Sequence, residues 1–405
     1  YLMPNNLIIN KKIKNFNKSI EVDGDKSLSI RWILFSSLSS AKSTAQNLLL
    51  SEDVMAAINA IRKLGIKVII KNKTCIVYGK GVDGYGYKKN LTINAQNSGT
   101  LGRLILGLLI NTPHPIKLIG DKSLSKRDFK RITDPLTRFG AVFKLTNNKN
   151  LPLKVLGAKK LKPIYYEEKK GSAQCKSAVI FGGLRTDGST IIKAKKSRNH
   201  TELFSNHLKL PIRTIRKKNY DIISVNKMKK IKIINYKIPS DISSSAFFIV
   251  LTALSEKSKL IIKNVNTNPS RTGIIKILKK MGVKINLKNK KTYKGEENAD
   301  IHIASSKNLN SINCPVKLNS GAIDEFLVIF LVAAKAKGVS YFKNLGELNQ
   351  KESPRLDWGS RILKEIGIKT IVTKNSIKIF GNPNIKVNKK IIIRNYLKDH
   401  RVFMT

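Results

Sequence analysis

Acidic side chains are scarce in this sequence. Asp and Glu number 26 against 77 Lys and Arg, a formal net charge of +51 at pH 7. Such a balance points toward anions, either nucleic acid or small acidic molecules whose local concentration it raises. Aromatic residues are few at 7% and rarely interleave with the lysines, so the stacking platforms of a single-strand binder are not evident. The lysines are also spread along the whole chain, which argues against specific nucleic-acid recognition. Cysteine is rare too. Cys75, Cys175 and Cys314 are odd in number and far apart, which leaves neither a disulfide framework nor a zinc site and fits a reducing cytoplasm. No apolar run is long enough to span a bilayer, and the opening YLMPNNLIIN has neither the basic flank nor the small-residue cleavage site of a secretory signal. With 405 residues the chain is long enough for two domains or three, each with a real core.

One short pattern recurs. An amphipathic helix ends near glycine and a strand follows at once: IRKLGIKVII at Gly65, LTRFGAVFKL at Gly140, LKKMGVKINL at Gly282 and LKEIGIKTIV at Gly367. Glycine supplies the left-handed turn and the alternating apolar residues supply the strand. In NHLKLPIRTI, Leu210 and Pro211 are expected to replace the glycine turn. The five copies recur at about seventy to eighty-five residues, too long for a solenoid repeat and too short for a domain, which suits pseudo-symmetric α/β lobes.

Between the copies, clusters of small polar residues open apolar helices. In VDGDKSLSIRW, Ser27 is a candidate N-cap, and Lys26, Ser27 and Arg31 converge at the positive end of the helix. Asn97-Ser-Gly-Thr100, Gly171-Ser-Ala-Gln174 and Ser240-Asp-Ile-Ser-Ser-Ser245 repeat the arrangement. Each can present backbone N–H groups to a phosphate or carboxylate, and each can equally be a plain helix cap. Gly99 stands out because a missing side chain lets a ligand approach the backbone. Carboxylates embedded among cations, at IDEF (Asp324, Glu325), KESPR (Glu352) and DHR (Asp399), are candidate acid–base groups. The competing reading is a surface ion pair, which suits Glu325 better than Glu352.

Taken in order, GDKSLSIR, NSGTLGR, GDKSLSKR, GSAQCKSA, SRNHTE, IPSDISSSAF, NPSRTG, IDEF, KESPRL and DHR resemble the 5-enolpyruvylshikimate-3-phosphate synthase family over residues 24 to 401. The GSAQ, SRNHTE and SLSKR wording is similar to the bacterial class that is often glyphosate-tolerant. The resemblance implies a two-lobed inverse α/β barrel of six βαβαββ units. It places residues 1–20 with 236–405 in one lobe and 21–235 in the other, with crossings near VDGD and KIPSD and the active site between them. It also implies transfer of the enolpyruvyl group of phosphoenolpyruvate to the 5-hydroxyl of shikimate 3-phosphate, without metal or organic cofactor, by a cytoplasmic monomer.

By motif position, the resemblance assigns shikimate 3-phosphate to Lys26, Ser27, Arg31, Ser172, Ala173, Gln174, Arg198, Asp324 and Lys351. Phosphoenolpyruvate falls to Lys26, Gly99, Arg127, Gln174, Arg355 and Arg401, with Asp324 as base and Glu352 as proton donor to C3. There are departures. Arg127 is followed by Asp-Phe where the family has Pro-Met or Pro-Ile, and Ala173 removes one hydroxyl contact. Tolerant members carry alanine at the Gly99 position, so this chain is expected to be glyphosate-sensitive. The sister enzyme acting on UDP-N-acetylglucosamine carries a loop cysteine where this chain reads GDKSLSKR, and a basic nucleic-acid-binding protein has no use for ordered carboxylates at 324 and 352. Five copies against six units place the last one beyond Thr405, so the chain is expected to be C-terminally incomplete, with Arg401 at a fraying end.

Overall fold

The computed structural model describes residues 13–387 and 399–405. All five helix–turn–strand copies are present: Glu52–Lys63 into Lys67–Lys71, Lys130–Thr137 into Val142–Thr146, His200–His207 into Ile212–Arg216, Gly273–Lys280 into Lys284–Tyr293, and Arg355–Glu365 into Thr370–Val372. Gly65, Gly140, Gly282 and Gly367 hold φ of 85°, 112°, 89° and 88°, the left-handed region that glycine enters without a Cβ clash. The remaining copy differs from expectation. Lys209, at φ 55°, makes the left-handed turn, and Leu210 and Pro211 follow it. For a residue with a Cβ that region costs roughly 1–2 kcal/mol, which a single turn can bear, so the missing glycine hid the position of the turn.

Each copy belongs to a sheet of one plan. In the first, Asn235–Lys237 lies parallel to Lys42–Gln46, and Thr74–Tyr78 then Lys67–Lys71 continue antiparallel. Leu91–Asn94, Ile116–Ile119, Asn150–Leu156 and Val142–Thr146 repeat that order, as do Tyr165–Glu168, Thr190–Lys195, Tyr220–Val225 and Ile212–Arg216. A fourth sheet pairs Asn17–Ile20 with Lys259–Asn266, Glu296–Ala304 and Lys284–Tyr293. Among the described residues the fifth has three strands, Gly338–Phe342, Ile377–Gly381 and Thr370–Val372, with parallel bridges from Asn310 and Asn313 where the others have a strand. Two sheets are therefore closed by strands distant in sequence. Where the chain crosses, Asp25 N–H donates to the Pro239 carbonyl and Asp241 N–H to the Asp23 carbonyl, 2.8 and 3.0 Å.

Buried side chains form two clusters, one running from Leu28 to Ile238 and the other taking Val22 and Ile242 to Ile379. Inside the first lie the helices Lys26–Ser37, Gly99–Leu108 and Ala173–Gly183, buried on almost every face because sheets or other helices surround them. Two of them touch backbone to backbone. A Cβ at Gly107 would stand 2.1 Å from the Ala178 carbonyl, so glycine there sets their separation and brings their first turns side by side. In the second cluster Ile242–Leu254 and Phe326–Lys335 take the equivalent place.

Candidate active site

The first turns of these central helices open on a cleft of about 1640 Å³. Lys26 and Ser27, Thr100 and Arg103, Ser172, Ala173 and Gln174, Asp241, Asp324 and Arg401 line it, each at or near a helix start. Helix ends with free N–H groups and partial positive charge are suited to anions.

The Lys26–Ser37 helix is capped by Asp25, which accepts from Leu28 N–H at 2.9 Å, so the expected cap at Ser27 is corrected and Ser27 is free to face the cleft. Lys26 Nζ pairs with Asp53 at 2.6 Å. Burial works against its charge, but Asp53 and Glu352 outweigh burial and raise its pKa. Arg31 is 3% exposed and lies beneath the cleft floor. Its guanidinium donates to Thr201 Oγ1 at 2.8 Å, the Ser27 carbonyl at 3.0 Å and Ser177 Oγ at 3.2 Å. Burial brings its pKa down to about 10, which leaves it charged at neutral pH.

Gln174 bridges two segments, accepting from Arg103 Nη1 and donating to Thr100 Oγ1 at 3.1 Å. Arg103, which motif reasoning passed over, lies on the Phe129 ring at 5.5 Å. Burial and the neighbouring Arg127 bring its pKa down to about 10. Its signal was the GTLGR spacing, which puts it one turn beyond Gly99 on the same face. Arg127 donates to Asn97 Oδ1 at 3.2 Å and pairs with Glu352 at 3.3 Å. A Cβ on Gly99 would come within 3.0 Å of Arg127 Nη1, so Gly99 leaves room for that guanidinium. Ser172 caps its helix through Cys175 N–H at 3.3 Å, while Glu168 takes the N–H groups of Lys170, Gly171 and Ser172.

Across the cleft, Asp324 receives Arg198 at 2.6 Å, Arg355 at 3.2 Å and Lys351 at 3.5 Å, and Arg401 donates to its carbonyl at 3.1 Å. Burial pushes its carboxyl pKa up, but the Lys351, Arg198, Arg401 and Arg355 charges overcome this and hold it well below the ordinary range. Glu352 pairs with Arg355 at 2.5 Å as well as Arg127, and it too is held low against burial by Arg355, Arg127, Lys26 and Lys351. Arg355, 2% exposed, is tied to Asp324, Glu352 and Asp399. Arg401, expected at a frayed end, is buried at 8% exposure because Asp399 caps its helix and Asp324 accepts its guanidinium.

Below lies a second layer that the motifs showed only as wording. Arg271, 2% exposed, reaches Ser243 Oγ at 2.7 Å and Asp25 at 3.4 Å. Glu325 is 1% exposed and accepts from Ser243 Oγ, so it is no surface ion pair. Burial raises its pKa.

Four sheets of one topology, a fifth with three strands among the described residues, and a cation-rich cleft that holds Asp324 and Glu352 characterise an α/β transferase of the enolpyruvyl transferase fold. The solved enolpyruvyl transferase NikO of Streptomyces tendae shares that fold at TM-score 0.68 and 13% identity, over 91% of this chain and 82% of that one. The chain belongs to the EPSP synthase (3-phosphoshikimate 1-carboxyvinyltransferase) family, whose profile matches residues 10–405. The 3-phosphoshikimate 1-carboxyvinyltransferase of Caldicellulosiruptor bescii is 38% identical over 96% of this chain and 89% of its own. That of Bacillus subtilis is 32% identical over 97% and 90%. The solved EPSP synthase of Acinetobacter baumannii superimposes at TM-score 0.80 with 34% identity, over 91% of this chain and 82% of that one.

Proposed function

We infer that the cleft transfers the enolpyruvyl group of phosphoenolpyruvate to the 5-hydroxyl of shikimate 3-phosphate and releases phosphate, the shikimate-pathway step toward aromatic amino acids. The observation that carries the assignment of roles is the placing of Asp324 and Glu352 opposite Arg198 and Arg127, one carboxylate and one cation on each pair of facing walls. The substrates bring two phosphates and two carboxylates, which need the surplus of cations that lines this cleft.

Ser27, Ser172, Ala173, Gln174, Arg198 and Lys351 hold shikimate 3-phosphate, while Arg31 acts from below by fixing the Ser27 backbone. Gly99, Arg127, Arg355 and Arg401 hold phosphoenolpyruvate, with Lys26 and Gln174 between the two ligands. Asp324 takes the 5-hydroxyl proton as the oxygen adds to C2, and Glu352 delivers a proton to C3, giving a tetrahedral ketal phosphate. Return of a C3 proton to Glu352 and cleavage of the C2–O bond to phosphate, which leaves with the proton held by Asp324, complete the transfer and restore both carboxyl groups. The substrate anions take over cations that hold both carboxylates ionised, and this raises the two pKa values toward a working range.

Two lobes, residues 1–20 with 236–405 and residues 21–235, flank the cleft in this reading, supported by the two buried clusters, and its placing of residues 1–12 and 388–398 lies outside the described residues. One chain supplies all of these groups, which supports a monomeric working unit, and the three free buried cysteines fit a cytoplasmic setting. Among the described residues no helix is long and apolar enough to cross a membrane. The Gly120–Arg127 loop holds no cysteine, which disfavours a UDP-N-acetylglucosamine substrate. Incubation with both substrates is expected to release inorganic phosphate, with none when either is omitted. Release from phosphoenolpyruvate and UDP-N-acetylglucosamine instead would overturn the assignment.

A further inference from the structure

Beneath the cleft, a polar cluster joins the two buried clusters at a place that no catalytic step uses. His200 opens the His200–His207 helix and Glu296 opens the Glu296–Ala304 strand, and both side chains are wholly buried. Glu296, held to a pKa of about 2 by His200 and the amides around it against the cost of burial, is a pure acceptor at neutral pH. Nδ1 of His200 is therefore the donor to Oε1, at 2.8 Å. Asn266 and Asn268 donate to Oε2, each at 3.0 Å. Asn268 and Ser270 also donate to Asn199 Oδ1, at 2.9 and 3.3 Å. Every one of these bonds except the two within the Asn266–Glu296 wall crosses from one cluster to the other.

The flanking residues give the cluster its meaning. Arg198, immediately before Asn199, meets Asp324 at 2.6 Å, and Arg271, immediately after Ser270, holds Ser243 and Asp25. A buried ion pair is often no more stabilising than apolar packing of the same volume, and in some proteins it serves instead to fix geometry. We propose that the His200–Glu296 pair, with Asn199, Asn268 and Ser270, is an interlobe clasp that positions Arg198 against Asp324 and so sets the alignment of the base. His200 and Glu296 touch no reacting atom and act through the Arg198 backbone. The proposal rests on the functional reading above.

The test compares His200→Phe, which deletes the donor, with His200→Gln, whose amide can still donate to Glu296, in the full chain. Displacing a catalytic pair by about 1 Å costs on the order of tenfold to a hundredfold in rate. His200→Phe is expected to lose that much kcat with little change in either KM, and His200→Gln to recover most of it. Asn199→Ala, half-buried and milder, serves if His200→Phe does not fold. Hydrogen exchange of free enzyme supplies a readout independent of turnover. Amides 323–325, which His200 does not touch, are expected to exchange faster in His200→Phe or Asn199→Ala by more than the chain as a whole, whose protection follows the lowered Tm. If the parent chain releases no phosphate, the functional reading fails while the exchange comparison still decides the clasp. Unchanged exchange at 323–325 and unchanged kcat in a folded variant would overturn it, as would losses that track Tm in both His200 variants.

Discussion

Asp324 sits among four cationic side chains, yet a base that takes a hydroxyl proton works best with a pKa near the operating pH. In the proposed mechanism, substrate anions that draw Arg198 and Lys351 away resolve this conflict. Asp324→Asn is then expected to bind shikimate 3-phosphate and to lose about a hundredfold or more in kcat, measured by phosphate release. Glu352→Gln should lose as much, with exchange of the C3 protons of phosphoenolpyruvate most affected. Arg127 and Arg355 both hold Glu352 ionised, so Arg127→Gln removes one restraint and raises the Glu352 pKa. The corresponding limb of the kcat pH profile should move to higher pH, and a move to lower pH would contradict the pairing. Gly99→Ala sets a methyl 3.0 Å from Arg127 Nη1, the far end of a flexible side chain. Folding should be unaffected, and inhibition by glyphosate should weaken more than the KM for phosphoenolpyruvate rises.

Elements carry a different kind of constraint. The Gly99–Leu108 and Ala173–Gly183 helices meet at Gly107 with no room for a side chain, and their shared approach places Thr100 and Arg103 against Gln174. Gly107→Ala must push the two helices apart. A loss of about 1–3 kcal/mol in unfolding free energy is expected, together with a higher KM, because the ends that move are the ends that line the cleft. Denaturant titration and steady-state kinetics on one preparation check both halves of this expectation. A variant with normal stability and normal KM would show that the close approach is not needed.

At the scale of the whole molecule, charge and burial pull in opposite directions. The +51 net charge repels itself but also steers anions toward the cleft, whose rim carries the exposed Lys122, Lys126, Lys170 and Lys218. With a Debye length of about 10 Å at 0.1 M salt, kcat/KM should fall steadily as salt rises, while kcat changes little. Acid stability follows from Glu296, whose pKa is about 2 when folded against 4.5 in the open chain. Because the folded value is depressed, its contribution is complete above about pH 4.5 and disappears as pH falls toward 2. That contribution is roughly 3 kcal/mol. Glu296→Gln should therefore unfold with a shallower dependence on pH across this window, as read by Tm.

The sequence by itself determined the repeating plan and most of the segments that line the cleft. Helix periodicity, the turn glycines and the ordered motifs are local features, and each is written within a dozen neighbouring residues. Lys209 shows the limit even there, since a left-handed turn without glycine leaves no mark in the pattern. What tertiary structure decided was which charges face one another. Arg198 and Asp324 are separated by 126 positions and His200 and Glu296 by 96. Nothing in the local sequence says that Arg31 turns beneath the floor, that Glu325 is buried or that Arg401 is held on the Asp324 carbonyl. The physical reason is that pKa, burial and ion pairing are set by neighbours in space. Those neighbours were brought together when two sheets were completed by the distant strands Asn17–Ile20 and Asn235–Lys237.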